Sequence, residues 1–107
     1  MATTLDLDAL RNAAGAASTF LRTLANPDRL LLLCQLSAGE ACVSALEQDT
    51  GIGQPTLSQQ LAVLRREGLV ITRRDGKHIF YQVADRRVLA MLGYLQQLFC
   101  PDEDDAV

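Results

Sequence analysis

A mainly helical domain with one β-hairpin between its fourth and fifth helices is the fold class this sequence predicts. Three observations carry that prediction. Apolar residues recur at helical spacing through most of the chain. Leu and Ala, both strong helix formers, dominate the apolar set, while Trp is absent and only five residues are aromatic. Two short β-rich runs, 69–74 and 77–83, flank Asp75-Gly76, a pair that favours a tight hairpin turn. The 107 residues, 49% hydrophobic and 21% charged, suit one folded domain whose core is built from Leu, Val, Ile and Ala.

The first helix runs from Leu7 to Leu24, with Leu7, Leu10, Ala14, Ala17, Phe20 (or Leu21) and Leu24 on one apolar stripe. Asn26-Pro27-Asp28 then starts a second helix: Asn is a favoured N-cap, Pro suits the first helical position, and Asp complements the helix dipole. That helix reaches about Leu36, and its Leu30–Leu33 block suggests burial nearly all round. Ser37 to Glu40 turns around Gly39, and a short third helix fits Val43 to about Asp49. Thr50-Gly51-Ile52-Gly53 leads into a fourth helix, from Gln54 to its stop at Gly68, with Pro55 in the first turn where a missing N–H costs nothing. Leu57, Leu61 and Leu64 form its i, i+4, i+7 stripe; Gln54, Thr56, Ser58 and Gln59, then Ala62 and Arg66, lie opposite. Asp75-Gly76 predicts a type I′ turn in the hairpin. The fifth helix extends from about Asp85 to Phe99, with Val88, Leu92, Leu95 and Leu98 (or Phe99) on one stripe, and 101–107 form a short acidic tail.

The net charge of −3 conceals a strong polarity. Between Arg65 and Arg87 stand seven of the ten basic residues against three acids, whereas Val88 to Val107 holds four acids and no base. Local charge decides where a polyanion docks, so the middle of the chain is the candidate contact region. The N-terminus carries Asp6 and Asp8 in place of a basic flank and apolar run, so no signal peptide is read there. The longest apolar run, Leu30 to Cys34, is too short to span a bilayer. A cytoplasmic protein without a membrane partner is therefore expected, its three cysteines normally reduced; three is also an odd number for a structural disulfide framework. No Ser/His/Asp set, carboxylate pair or phosphate loop is present, and the single histidine leaves little for acid–base chemistry. Neither enzymatic activity nor a cofactor is expected.

Two short helices joined by a glycine-containing turn and followed at once by a basic hairpin form the pattern of a winged helix-turn-helix. The polar face of the fourth helix offers amides and hydroxyls that reach base edges and phosphates of a major groove. Taken alone, such a face is an ordinary solvated surface, and so is a charged hairpin. Their order and the concentration of basic charge favour DNA. The candidate contacts are Gln54, Thr56, Ser58, Gln59 and Arg65, with Arg73, Arg74, Lys77 and His78 on the hairpin. Gln54 and Gln59 are the candidates for bidentate adenine contacts. A hairpin that binds an acidic protein partner is the non-DNA alternative, and a weak salt dependence would mark it.

From about Leu21 to Val83 the chain resembles the ArsR/SmtB family of bacterial regulators. The matching segments are Leu24-Ala25-Asn26-Pro27-Asp28-Arg29-Leu30, Gly51-Ile52-Gly53-Gln54-Pro55-Thr56-Leu57-Ser58-Gln59-Gln60-Leu61, and Arg73-Arg74-Asp75-Gly76-Lys77-His78-Ile79-Phe80-Tyr81. The resemblance implies a homodimer formed by the first and last helices, a fourth helix in the major groove of double-stranded operator DNA, a hairpin wing, and repression relieved by an inducer. The family's metal sensors carry ligand sets that this chain departs from. Where one type has Cys-x-Cys, this chain reads Cys42-Val43-Ser44, and the last helix has no His. Arg29-Leu30-Leu31-Leu32-Leu33-Cys34 and Leu98-Phe99-Cys100-Pro101 instead resemble the sulfide- and persulfide-responsive BigR/SqrR type. That resemblance implies a redox-sensing pair, Cys34 and Cys100, cross-linked by reactive sulfur species as inducer. Two alternatives stay open: Cys34 as a buried small hydrophobe, and an arsenite or soft-metal site using Cys34, Cys42 and Cys100.

Overall fold

A computed structural model describes residues 6–100 of the chain. Five helices and three strands follow one another: α1 (Leu7–Leu24), α2 (Pro27–Ser37), β1 (Ala41–Cys42), α3 (Val43–Thr50), α4 (Thr56–Arg66), β2 (Val70–Asp75), β3 (His78–Val83) and α5 (Arg86–Phe99). This is a winged helix-turn-helix, mainly helical, with one element more than expected. The acidic tail read in 101–107 lies outside the described residues.

The helix boundaries have local causes. Asn26 Oδ1 accepts the Arg29 backbone N–H at 3.0 Å, and Pro27 opens α2, as the sequence predicts. α4 ends where the Leu69 N–H reaches Leu64 O at 2.9 Å and the Gly68 N–H reaches Arg65 O at 3.0 Å. This paired closure needs a left-handed residue, and Gly68 supplies it at φ 78°. α4 begins two residues later than predicted, because Gln54 and Pro55 form the turn before it and Pro55 serves as its N-cap.

The sheet is antiparallel in the order β1-β3-β2. β1 was not anticipated: Ala41 pairs with Tyr81 and Cys42 with Phe80, so the segment entering α3 covers part of the outer edge of the wing. The hairpin turn is displaced by one residue from the prediction. Asp75 pairs with His78, which leaves Gly76-Lys77 as the loop. Gly76 has φ 63° and no non-glycine residue has a positive φ, so the loop has glycine alone in the left-handed region at its first position. That suits a type II′ turn, not the type I′ expected, which needs positive φ at both positions.

One core joins the elements. Leu57, Leu61 and Leu64, the predicted stripe of α4, pack with Leu32, Leu33 and Leu36 of α2, Leu46 of α3, Val70 of β2, and Val88 and Leu92 of α5. The all-round burial expected of α2 does not occur: Leu31 is 44% exposed and Leu30 is half-buried, because that face looks onto an open groove. α1 buries only Thr23 and Leu24 and leaves Leu7, Leu10 and Leu21 in solvent. The resulting shape is flat and broad, 53 × 41 × 22 Å, with a radius of gyration of 16.4 Å. A compact domain of this length has about 13 Å.

Candidate nucleic-acid interface and dithiol groove

α3, the turn at 51–55 and α4 form the helix-turn-helix, and α4 exposes the polar face the sequence predicts. Ser58, Gln59 and Arg65 are exposed and Thr56 is half-buried. Gln54, two residues before the helix, is used differently. Its side-chain oxygen accepts the Ser58 backbone N–H at 3.1 Å and the Ser58 hydroxyl at 2.7 Å. The oxygen half of its amide is thereby engaged within the first turn of α4, which leaves the Gln54 NH2 group free but not the bidentate edge that an adenine contact needs. Gln59 remains exposed on the first turns of the helix and keeps that capacity.

The wing carries Arg73, Arg74, Lys77 and His78, all exposed. They are not equivalent. Arg73 donates from Nε to Glu40 Oε2 at 2.9 Å and from Nη2 to Glu40 Oε1, its Nη1 lies 3.8 Å from Asp75 Oδ2, and its guanidinium sits 4.6 Å over the Phe80 ring. The hydrogen bonds from Arg73 hold the Glu40 carboxyl below its ordinary range. Among the described residues Arg74 and Lys77 form no ion pair, so they carry the surplus positive charge of the wing. His78 lies beside Phe80, ring centroids 6.2 Å apart.

On the side of α2 that escapes burial, the end of α5 passes alongside. Leu30, Leu31, Leu92, Leu95 and Phe99 line an open groove of about 610 Å³ between the two helices, with Cys34, Ser37, Gln96 and Cys100 among the lining residues. Cys34 comes from α2 and Cys100 is the residue that ends α5. Both are free thiols and both are exposed, so Cys34 is not a buried hydrophobe. Partial desolvation between the two helices pushes the Cys34 thiol up, and the nearby charge of an ionised Cys100 pushes it further. The fold therefore brings the two sequence-predicted thiols to one site.

Comparison with known proteins agrees with this architecture. The family model for bacterial regulatory proteins of the arsR family matches residues 26–72. The chain is 45% identical over 97 residues to the biofilm growth-associated repressor of Xylella fastidiosa, covering 91% of this chain and 85% of that protein. The chain belongs to the arsR family. Within the family it groups with the biofilm growth-associated repressors, as the sequence resemblance implies; that of Agrobacterium fabrum is 44% identical over 101 residues, 94% of this chain and 86% of the relative. The crystal structure of the transcriptional repressor BigR from Xylella fastidiosa superposes with a TM-score of 0.84 at 43% identity, covering 92% of this chain and all of that one.

The arsR-family chain keeps its third thiol apart. Cys42 is the N-cap of α3 and a residue of β1, with Sγ 3.3 Å from Ser44 Oγ. Hydrogen bonding from the Ser44 hydroxyl, and then from the Ala45 backbone N–H, holds this thiol below its ordinary value. Among the described residues no three His, Cys, Asp or Glu side chains are gathered closely enough to hold a metal ion. The three thiols of the soft-metal alternative thus do not converge within one chain. No described helix is long and apolar enough to cross a membrane.

Two side chains that tie distant elements together escaped the sequence reading. Arg29 donates to Thr23 O at 2.6 Å, to Arg22 O at 3.3 Å and to Gln60 Oε1 at 2.9 Å, tying the end of α1 to α4. Glu40, the partner of Arg73, is the other. Arg29 stands inside the segment that carries the family resemblance, which was a signal of sorts. Glu40 lies 33 residues from its partner, and no local pattern links them.

Proposed function

We propose that this chain is a homodimeric, operator-binding transcriptional repressor that releases DNA when reactive sulfur species link Cys34 to Cys100. Membership of the arsR family and likeness to the biofilm growth-associated repressors support the repressor reading. The single observation that carries the sensing step is the groove in which α2 and α5 present one thiol each.

On the DNA side, α4 lies in the major groove, where Gln59 and the lone pairs of the Ser58 hydroxyl, whose proton goes to Gln54, meet base edges and Thr56 and Arg65 meet the backbone. Arg74, Lys77 and His78 follow the phosphates from the wing. α1 and α5 pack across a two-fold axis with the apolar residues they leave exposed in the single chain, among them Leu10, Tyr94 and Leu98. The two copies of α4 then face half-sites roughly one helical turn, about 34 Å, apart or a multiple of it.

The sulfur chemistry balances without a cofactor. One thiol takes the outer sulfur of a hydropersulfide and releases the parent thiol. The second thiol attacks the inner sulfur of the new protein persulfide, closes the cross-link and expels hydrogen sulfide. Two protein thiols are oxidised, and the sulfane sulfur is reduced to sulfide. Further sulfur transfer before closure inserts additional atoms and bridges a wider gap than the 4.4–6.8 Å between Cα atoms typical of a disulfide. The link ties the end of α5 to α2, loads the dimer seam and alters the spacing of the two α4 helices. A change of about 1.4 kcal/mol in that balance is tenfold in DNA affinity.

The test uses a duplex selected from a random pool by the reduced protein. Cys34→Ser and Cys100→Ser should each bind it as wild type does, and neither should release it on persulfide treatment. Release by both variants, together with retention by Cys42→Ser, would transfer the sensing role to the third thiol and sink this reading.

A further inference from the structure

We propose that Glu40 is a positioning residue for DNA binding: through Arg73 it lashes the wing to the connection between α2 and β1. The inference rests on the reading of the wing as a DNA-facing surface, and it assigns Arg73 to the protein's own architecture instead of to a phosphate.

The place of the pair in the fold is the argument. Along β2 only Val70 is buried and Thr72 half-buried; from Arg73 to Asp75 every residue is exposed. The core's grip on the hairpin therefore ends where Arg73 begins. On the other side, β1 supports β3 over two residue pairs only, the outer one being Cys42 with Phe80. Arg73 pairs with that same Phe80 from β2. A row of residues thus crosses all three strands at the boundary between anchored sheet and free wing. Over this row the Arg73 guanidinium lies on the Phe80 ring and reaches Glu40 with two hydrogen bonds, a planar fork meeting a carboxylate. Two strand spacings, roughly 10 Å, separate β2 from β1, and only a side chain as long as Arg spans them.

Charge points the same way. Glu40 neutralises Arg73, and Asp75 stands 3.8 Å from a third guanidinium nitrogen. A phosphate approaching Arg73 meets two carboxylates. The hydrogen bonds hold the Glu40 carboxyl below its ordinary range and the Arg73 guanidinium above its own, which favours the ionised pair.

The experiment combines amide hydrogen exchange of the DNA-free full chain with binding to a labelled random-sequence duplex over a salt series. Glu40→Gln should speed exchange from Arg74 to Ile79. It should also weaken duplex binding by roughly three- to fivefold, the scale of one partly exposed ion pair, with an unchanged salt slope. Exchanging the charges, Glu40→Arg with Arg73→Glu, in an Asp75→Asn background that leaves no like charge beside the new carboxylate, should restore both to within about twofold of that background. Tighter binding by Glu40→Gln with a slope steeper by about 0.9 would overturn the proposal, because Arg73 would then be a phosphate contact that Glu40 masks. Failure of the charge exchange to restore binding overturns it too, as does unchanged wing exchange in Glu40→Gln. A wild-type chain that binds no duplex would remove the DNA-binding reading instead, and the exchange data, taken without DNA, would still judge the lashing.

Discussion

Among the three thiols, environment separates what residue type makes equal. Cys34 is held protonated to higher pH by partial desolvation, while Cys42 ionises at lower pH under hydrogen bonds from Ser44 and Ala45. The thiolate is the nucleophile, so their reactivity at neutral pH follows this order. Iodoacetamide at neutral pH should label Cys42 before Cys34, as read by peptide mass spectrometry. The Cys34 rate should keep rising with pH after that of Cys42 has levelled off, and Ser44→Ala should slow Cys42. Labelling of Cys34 first would show that the groove does not shield it. The distinction also bears on sensing: a small soft oxidant meets Cys42 readily, yet only the groove pair has a second thiol to complete a cross-link. The candidate residues were legible as types. Their partners were not, as Gln54 with Ser58 and Arg73 with Glu40 show, because a side chain's hydrogen bonds depend on which surfaces the fold brings within reach.

Helix and strand limits follow local rules where the signal is local. Asn26 and Pro27 start α2, Gly68 stops α4, and Asp85 starts α5 by accepting the Arg87 backbone N–H at 2.9 Å. Asp85 also receives the Arg87 guanidinium at 2.6 Å, and those side-chain bonds, ahead of the backbone one, hold its carboxyl below the ordinary range. Asp85→Ala should lower stability by about 1 kcal/mol at neutral pH, the usual size of an N-cap. The sign of the pH effect follows from the lowered folded value. The contribution is complete above the pH range where an unfolded Asp ionises, about 4, and it is lost as pH falls through the folded value. Urea unfolding at neutral pH and near the acid limit should therefore show a gap between wild type and variant that narrows with acid; a constant gap would mean that Asp85 acts without its charge. The hairpin shows where a local signal misleads. Asp75-Gly76 favours a type I′ loop, but the pairing from Val70–Val83 to Asp75–His78 sets the register, and it leaves Gly76-Lys77 to turn the chain. The missed strand β1 has the same origin, since two residues become a strand only because β3 runs beside them.

For the molecule as a whole, the flat shape and the unburied faces of α1 and α5 ask for a second copy. Leu10 is 47% and Leu98 56% exposed in the single chain, on helices whose apolar stripes exceed what the core accepts. Wild-type protein should sediment as a dimer at micromolar concentration. Leu10→Glu and Leu98→Glu each place an unpaired carboxylate in the proposed seam at a cost of roughly 3 kcal/mol or more. Each should therefore shift the protein toward a folded monomer with weakened DNA binding. An unchanged dimer in both variants would locate the interface elsewhere. Because Cys100 ends α5, the same seam would feel a link between Cys100 and Cys34, which is how a groove remote from α4 would influence DNA affinity.

Periodicity, caps and charge distribution were enough to place five helices and a basic hairpin in order, because each depends on neighbours within a turn or two of chain. They also sufficed to mark Ser58 and Gln59 on a polar face opposite a buried stripe. Contacts between distant segments had no such trace in periodicity, caps or charge: the hydrogen bonds of Arg73 to Glu40, the hold of Arg29 on Gln60, and the two-residue strand beside the wing. The pairing of Cys34 with Cys100 was implied by the family resemblance alone, and the fold supplies the groove that they share. The physical reason is the same in each case. Backbone preferences are local free energies that a window of sequence contains. A groove, a salt bridge across a sheet or an edge pairing exists only after the hydrophobic core has chosen which elements touch.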